Sequence, residues 1–230
     1  MTSRPEPSGV LLADWFAVRR PMVDAAAAAT GSILVVVALT LIWSARLSVR
    51  RNLYVSELGA TGEPTADVFR FALLLVVVGG SLVAFSTRLV RSDSRYLRAW
   101  SPAISLWVAS GFFLVASQVT CTSGCPVPYG PQFTWQDLIH IICAVLAFAA
   151  ACWAMLQVSF TRHRRLLATF SRLCGGAVAV VAATGGLLSL ANTATGFGSQ
   201  LELVATTIAI LWLAVYGALE ALGHLRSAAA

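Results

Sequence analysis

The chain has 230 residues, of which 58% are hydrophobic and only 11% charged, with a mean hydropathy of +0.79. A soluble domain carries about a quarter charged residues, so this composition cannot cover a globule with polar surface and excludes a soluble cytosolic enzyme. All sixteen basic residues are arginine, the net charge is +6, and the charge sits on a few short stretches. That pattern suits anionic lipid headgroups and argues against a nucleic-acid partner.

The first 24 residues form a cytoplasmic segment with Pro5, Pro7 and three arginines. Its short apolar run over 10–18, with Trp15 and Phe16, can lie on the membrane as an interfacial helix. A helix needs roughly 20 apolar residues to cross a hydrocarbon core of about 30 Å. Six segments meet that length: 25–43, 67–87, 100–120, 137–160, 173–191 and 200–222. No strict alternation of apolar and polar residues is present, so a transmembrane barrel is not expected. The fold class is therefore all-α, a six-span membrane helix bundle over 25–222 with a short tail at 223–230. Ser101–Pro102 has the form of a helix cap with a first-turn proline where the third span begins.

Arginines set the orientation. With the N-terminus in the cytoplasm, twelve fall inside: Arg4, Arg19, Arg20, Arg88, Arg91, Arg95, Arg98, Arg162, Arg164, Arg165, Arg172 and Arg226. Only Arg46, Arg50 and Arg51 fall outside, directly after the first span, and Arg70 lies within a span. Both termini are thus expected to be cytoplasmic in a multi-pass protein of the cell membrane. Small residues let helices approach closely in lipid, and the expected contacts are Gly175, Gly176, Gly185 and Gly186 in the fifth span, with Gly79, Gly80 and Gly111.

Of five cysteines, Cys143, Cys152 and Cys174 fall in spans and read as packing residues. Cys121 and Cys125 share an outward loop, where an oxidising compartment favours a structural disulfide. A redox-active pair fits the three-residue spacing less well. Two thiols without a histidine nearby in sequence make an incomplete zinc site, so no metal and no cofactor are expected.

Ionisable groups at membrane depth are costly and raise a functional hypothesis. Glu57 and Glu63 lie in the first outer loop, Asp67 and Arg70 open the second span, Asp137 and His140 the fourth, and Glu202 the sixth. All seven belong near the outer face. Asp137 with His140 can form an acid/base pair with Glu57 as a second acid, while Arg70, Asp67, Glu63 and Glu202 can hold a polar headgroup. Capping competes with this: Thr134 with Asp137, and Ser199 with Glu202, match the capping box, and Asp67 follows Thr65 at a helix start. Arg70 and His140 have no such explanation. On the inner side Glu220 and His224 stand one turn apart as an interfacial pair, and His163 belongs to a basic loop that touches lipid.

The stretch Tyr54-Val-Ser-Glu-Leu-Gly-Ala60 with Pro64 and Phe69, and the uncharged loop before Asp137, His140 and Phe148, resemble the bacterial domain-of-unknown-function 998 family. That family is grouped with the eukaryotic DRAM-type and Sfk-type membrane proteins. The resemblance runs over about 25 to 220. It implies a small six-span membrane protein with no established reaction, in which Ser56, Glu57, Gly59 and His140 are recurrent polar and turn positions. The Cys121–Cys125 loop and the all-arginine basic content depart from that pattern.

Three functions compete. The first is a lipid-interacting or membrane-assembly component, with membrane lipids and a membrane protein as partners. The second is an intramembrane enzyme working by acid/base chemistry on an amphiphilic small molecule, a lipid or isoprenoid, as terpene cyclases do. The third is a small transporter. No phosphate loop, nucleophile elbow or metalloprotease signature is present.

Overall fold

The computed structural model describes residues 8–127, 129, 131–161, 164–191 and 193–229, with side chains from residue 21 onward. Arg162 and His163 of the basic loop, and the side chains of the 10–18 run, lie outside the described residues. Six α-helices follow one another: α1 Ser8–Ser48, α2 Ala66–Ser86, α3 Pro102–Gln118, α4 Trp135–Val158, α5 Arg165–Leu190 and α6 Thr195–Ala229. A short 3-10 turn, Ser56–Gly59, sits between α1 and α2.

Five helical stretches are long and apolar enough to cross a membrane: Pro21–Ser48, Ala66–Ser86, Trp135–Val158, Arg165–Leu190 and Thr195–Ala229. The third apolar helix, α3, has 17 residues. At 1.5 Å per residue it is about 26 Å long, shorter than the 21 residues expected there, because Ser101 caps one end and the chain leaves helical geometry at Val119. The Ser101 side chain accepts from the Ile104 amide with Pro102 in the first turn, the arrangement the sequence announced. Helix α1 is far longer than its apolar part. Its 41 residues include Pro21, and the 10–18 run continues into the first apolar stretch without a break.

Each helix packs on its neighbour in the chain, and α6 returns to α1, so the six close into a ring in which α2 also touches α6. The tightest approaches are made by glycine. A Cβ on Gly31 of α1 would stand 2.6 Å from the Gly79 carbonyl oxygen, and one on Gly79 of α2 would stand 2.8 Å from that of Gly31. A Cβ on Gly217 of α6 would run into Ser32 and Val83. The fifth helix contributes less than its glycines led one to expect: Gly176 and Gly186, like Gly111, have no neighbour within 4 Å of a built Cβ. Its outer face instead carries exposed Leu173, Val180 and Leu187, apolar surface suited to lipid.

Antiparallel order gathers the connections at two ends. At one end meet the α1–α2, α3–α4 and α5–α6 loops: Thr61 N donates to Cys121 O over 2.9 Å, and the Tyr129 hydroxyl donates to Leu190 O. At the other, Arg88 clasps Asp24 at 2.7 and 3.2 Å, Arg164 pairs with Glu220, and Asp93 N donates to Phe160 O over 3.0 Å. Glu220 therefore finds an arginine, while His224 Nε2 lies 3.2 Å from Ser86 O.

Candidate functional site

All seven ionisable residues singled out in the sequence lie at the end that carries the cysteine loop, but they do different things. Glu57 stands in the 3-10 turn, and its carboxylate accepts from the Tyr54 amide at 2.6 Å, closing the turn on itself. Burial pushes its carboxyl above the ordinary 4.5, against the pull of that amide. Glu63 pairs with Arg51, which raises the guanidinium further above its ordinary value. Asp67 is exposed in the first turn of α2, where a negative charge suits the helix dipole. Thr65 ahead of it makes no side-chain cap, because its hydroxyl donates to Leu58 O over 2.8 Å. Arg70 reaches the Gln118 side chain at 2.8 Å and shares with His140 a small void of about 10 Å³.

The two capping-box matches part company. Thr134 Oγ1 accepts from the Asp137 amide at 3.1 Å, the threonine arm of the capping box, while the Asp137 carboxylate accepts from the Thr134 hydroxyl. Asp137 is fully buried, and its carboxylate also accepts from the Thr122 amide at 2.7 Å and the Thr122 hydroxyl at 2.9 Å. It thereby fastens the cysteine loop to α4. At Ser199 the box does not form, since α6 starts four residues earlier at Thr195 and the Ser199 hydroxyl donates to Gly196 O over 2.9 Å. Glu202 consequently lies in the second turn, and its carboxylate accepts from the amides of Val55 at 2.9 Å and Ser56 at 3.4 Å. A helix residue thus holds the polar loop that links α1 to α2.

His140 does not bond to Asp137, although the two are three residues apart on α4. Its Nδ1 lies 2.7 Å from Val119 O and 3.1 Å from Ala116 O, at the C-terminal end of α3. A ring nitrogen beside two carbonyl oxygens is a donor, so Nδ1 is the protonated nitrogen and Nε2 is left for other partners.

His140, Glu202 and Ser56 meet on one cavity of about 90 Å³. Its walls come from α1, α2, α3, α4 and α6 and are mostly apolar, with Leu73, Phe113, Phe148 and Leu213 among them. The three polar residues mark the end nearest the loops. Ser110 and Thr206 lie deeper, and Gly80 deeper still. This arrangement suits an amphiphile, with polar groups at one end of a greasy slot. Glu57, Glu63, Asp67 and Asp137 are not on its wall.

Cys121 and Cys125 form a disulfide. The tight loop is closed by Gly124 at φ +81° and by Cys125, which itself adopts φ +43°. A ring nitrogen of His140 and both sulfurs lie within 4.8 Å of one another. The histidine that sequence spacing placed fifteen or more residues away is therefore beside the pair in space.

Several polar residues have structural roles that the sequence reading passed over. Gln157 is fully buried near the end of α4, donating to Leu97 O and Trp100 O at 3.1 and 2.8 Å and accepting from Ser105 at 2.7 Å. Its one signal was an amide at the end of the long apolar run of α4. Thr122 could not be recognised, because only the fold brings it to Asp137. Gly59, a turn position of the family resemblance, is buried beneath Phe69, whose ring would be 2.6 Å from a built Cβ.

The model of the DUF998 family, described as proteins of unknown function, matches residues 26–219. No curated protein and no solved structure matches the chain.

Proposed function

We propose, for a chain that belongs to the DUF998 family, a lipid-interacting role in which the bundle binds an amphiphilic molecule between its helices. It is a multi-pass membrane protein, and in this reading α3 is its sixth span. The excess of arginine at the end opposite the disulfide supports an orientation with that end, and both termini, in the cytoplasm. The disulfide end then faces the oxidising side, as a stable disulfide favours. The cytoplasmic arginines meet anionic headgroups.

The observation that carries the reading is the cavity, apolar along its length with Glu202, Ser56 and His140 at its outer end. A carboxylate and a bare imidazole nitrogen are acceptors, so the fitting headgroup is a hydrogen-bond donor such as an alcohol. The test is native mass spectrometry of the full chain released from its membranes in mild detergent, followed by titration with a prenyl alcohol. Ala144 lines the cavity, and A144F, which fills it, is expected to lower prenyl-alcohol affinity at least tenfold in a protein of unchanged melting temperature. Equal binding by A144F and wild type would sink the proposal.

An acid/base enzyme is the second reading. What favours it is that Glu202 and His140 share the cavity wall. Asp137 suits that role poorly, because it is fully buried and off the cavity wall. E202Q and H140Q would then bind the amphiphile and leave it unconverted.

A further inference from the structure

We propose that Cys121, Cys125 and His140 form a redox-gated metal site, closed while the disulfide stands and able to hold one thiophilic divalent ion such as zinc once it is reduced. The proposal shares His140 with the amphiphile reading but does not rest on it. Three ligand-bearing residues from two segments converge, their ligand atoms within 4.8 Å of one another, with Cys121 and His140 buried. Ligands on a common zinc ion stand about 3.5–4 Å apart, so breaking the sulfur–sulfur bond lets the two sulfurs separate by the amount a shared ion requires.

The surroundings hold the ligands as a metal site needs. A metal-bound histidine commonly donates its other ring N–H to a carbonyl, which fixes its tautomer and orientation. His140 Nδ1 lies 2.7 Å from Val119 O, two residues before Cys121, so Nε2 is the nitrogen that an ion would take. The loop bearing the sulfurs is fastened through Thr122 to Asp137, three residues before His140 on the same helix. Two thiolates would neutralise a divalent ion, so the loaded site adds no net charge to a buried place. Three protein ligands leave a fourth position free for water or a substrate atom.

The chemistry balances with a dithiol as reductant. The dithiol gives two electrons and two protons to the Cys121–Cys125 bond and is itself oxidised to a cyclic disulfide. Binding the ion then releases the two thiol protons.

Cobalt(II) is the probe, used on full-length protein in detergent with Cys143, Cys152 and Cys174 replaced by alanine so that no other thiol contributes. After reduction with dithiothreitol and its removal under anaerobic conditions, one cobalt per chain is expected, with thiolate charge-transfer absorption. The oxidised protein should bind none. X-ray absorption should show two sulfur neighbours and one imidazole. C125S and H140Q should each weaken binding at least tenfold. Should H140Q fail to fold, the imidazole signal in the unaltered site decides the role of His140. No cobalt in the reduced protein, equal uptake by the oxidised protein, or a sphere without imidazole would overturn the proposal.

Discussion

Asp137 shows how one side chain ties three pieces of chain together. Its backbone amide is capped by the Thr134 hydroxyl, and its carboxylate accepts from that hydroxyl and from Thr122 in the cysteine loop. Alanine there keeps the backbone amide that Thr134 caps but leaves the buried Thr122 amide and the Thr122 and Thr134 hydroxyls without their acceptor, a loss of about 1–3 kcal/mol. D137A should therefore melt well below wild type in detergent, whereas D137N, which keeps an acceptor, should lose less. Glu57 makes a prediction of opposite sense. Its folded-state carboxyl is raised above 4.5 by burial, so between that value and the raised one the folded protein holds more proton than the unfolded chain. Stability then falls as pH rises through that window, and the deficit persists above it. E57Q keeps an oxygen for the Tyr54 amide without the charge. Its melting temperature should lack this fall and at pH 7 should equal or exceed that of wild type, measured by thermal melts across pH. These roles were legible to different degrees. The Thr134–Asp137 box stood in the sequence because its partners are three residues apart. The apparent box at Ser199 misled because α6 begins a turn earlier than the apolar stretch does, and this frees Glu202 to reach the Val55 and Ser56 amides.

At the scale of elements, glycine decides which helices touch. Gly31 and Gly79 bring α1 and α2 together so closely that a methyl on either would meet the other's carbonyl. G79A should destabilise by about 1–3 kcal/mol, the range for overpacking a tight contact. G111A is the control: its Cβ meets nothing within 4 Å, and alanine is the better helix former by about 1 kcal/mol, so its melting temperature should hold or rise. An equal rise in both would mean that helix propensity, not close approach, governs these sites. Counting glycines pointed to the fifth helix, with its two Gly-Gly pairs. There Gly175 meets Met155 and Gly185 meets Leu201, while Gly176 and Gly186 meet nothing, since whether a glycine faces a neighbour depends on helix rotation, which a count does not contain.

For the whole molecule, the arginine-rich end is fastened by ion pairs between segments distant in sequence. Arg164, at the start of α5, meets the buried Glu220 of α6, and Arg88 after α2 meets Asp24 in α1. Because the Arg164 side chain is 44% exposed, solvent screens its pair, and R164Q should cost about 1–3 kcal/mol, less than a fully buried pair. Most of that cost comes from stranding the Glu220 carboxylate. The double variant R164Q/E220Q should therefore recover part of the loss, which a double-mutant cycle of melting temperatures will show. No recovery would mean that the arginine stabilises by packing alone.

The sequence by itself determined that the chain is a helical membrane bundle, where most of its helices lie, and that seven ionisable residues outside the arginine-rich end gather at the other. Those properties follow from hydropathy, helix length and arginine placement, which are local and additive along the chain. Only the tertiary structure decided which of those residues share a cavity and which are caps, and that His140 stands beside Cys121 and Cys125. The reason is physical: ring closure of α6 on α1 and the rotation of each helix about its axis are set by the joint packing of six helices, and no stretch of sequence encodes them alone.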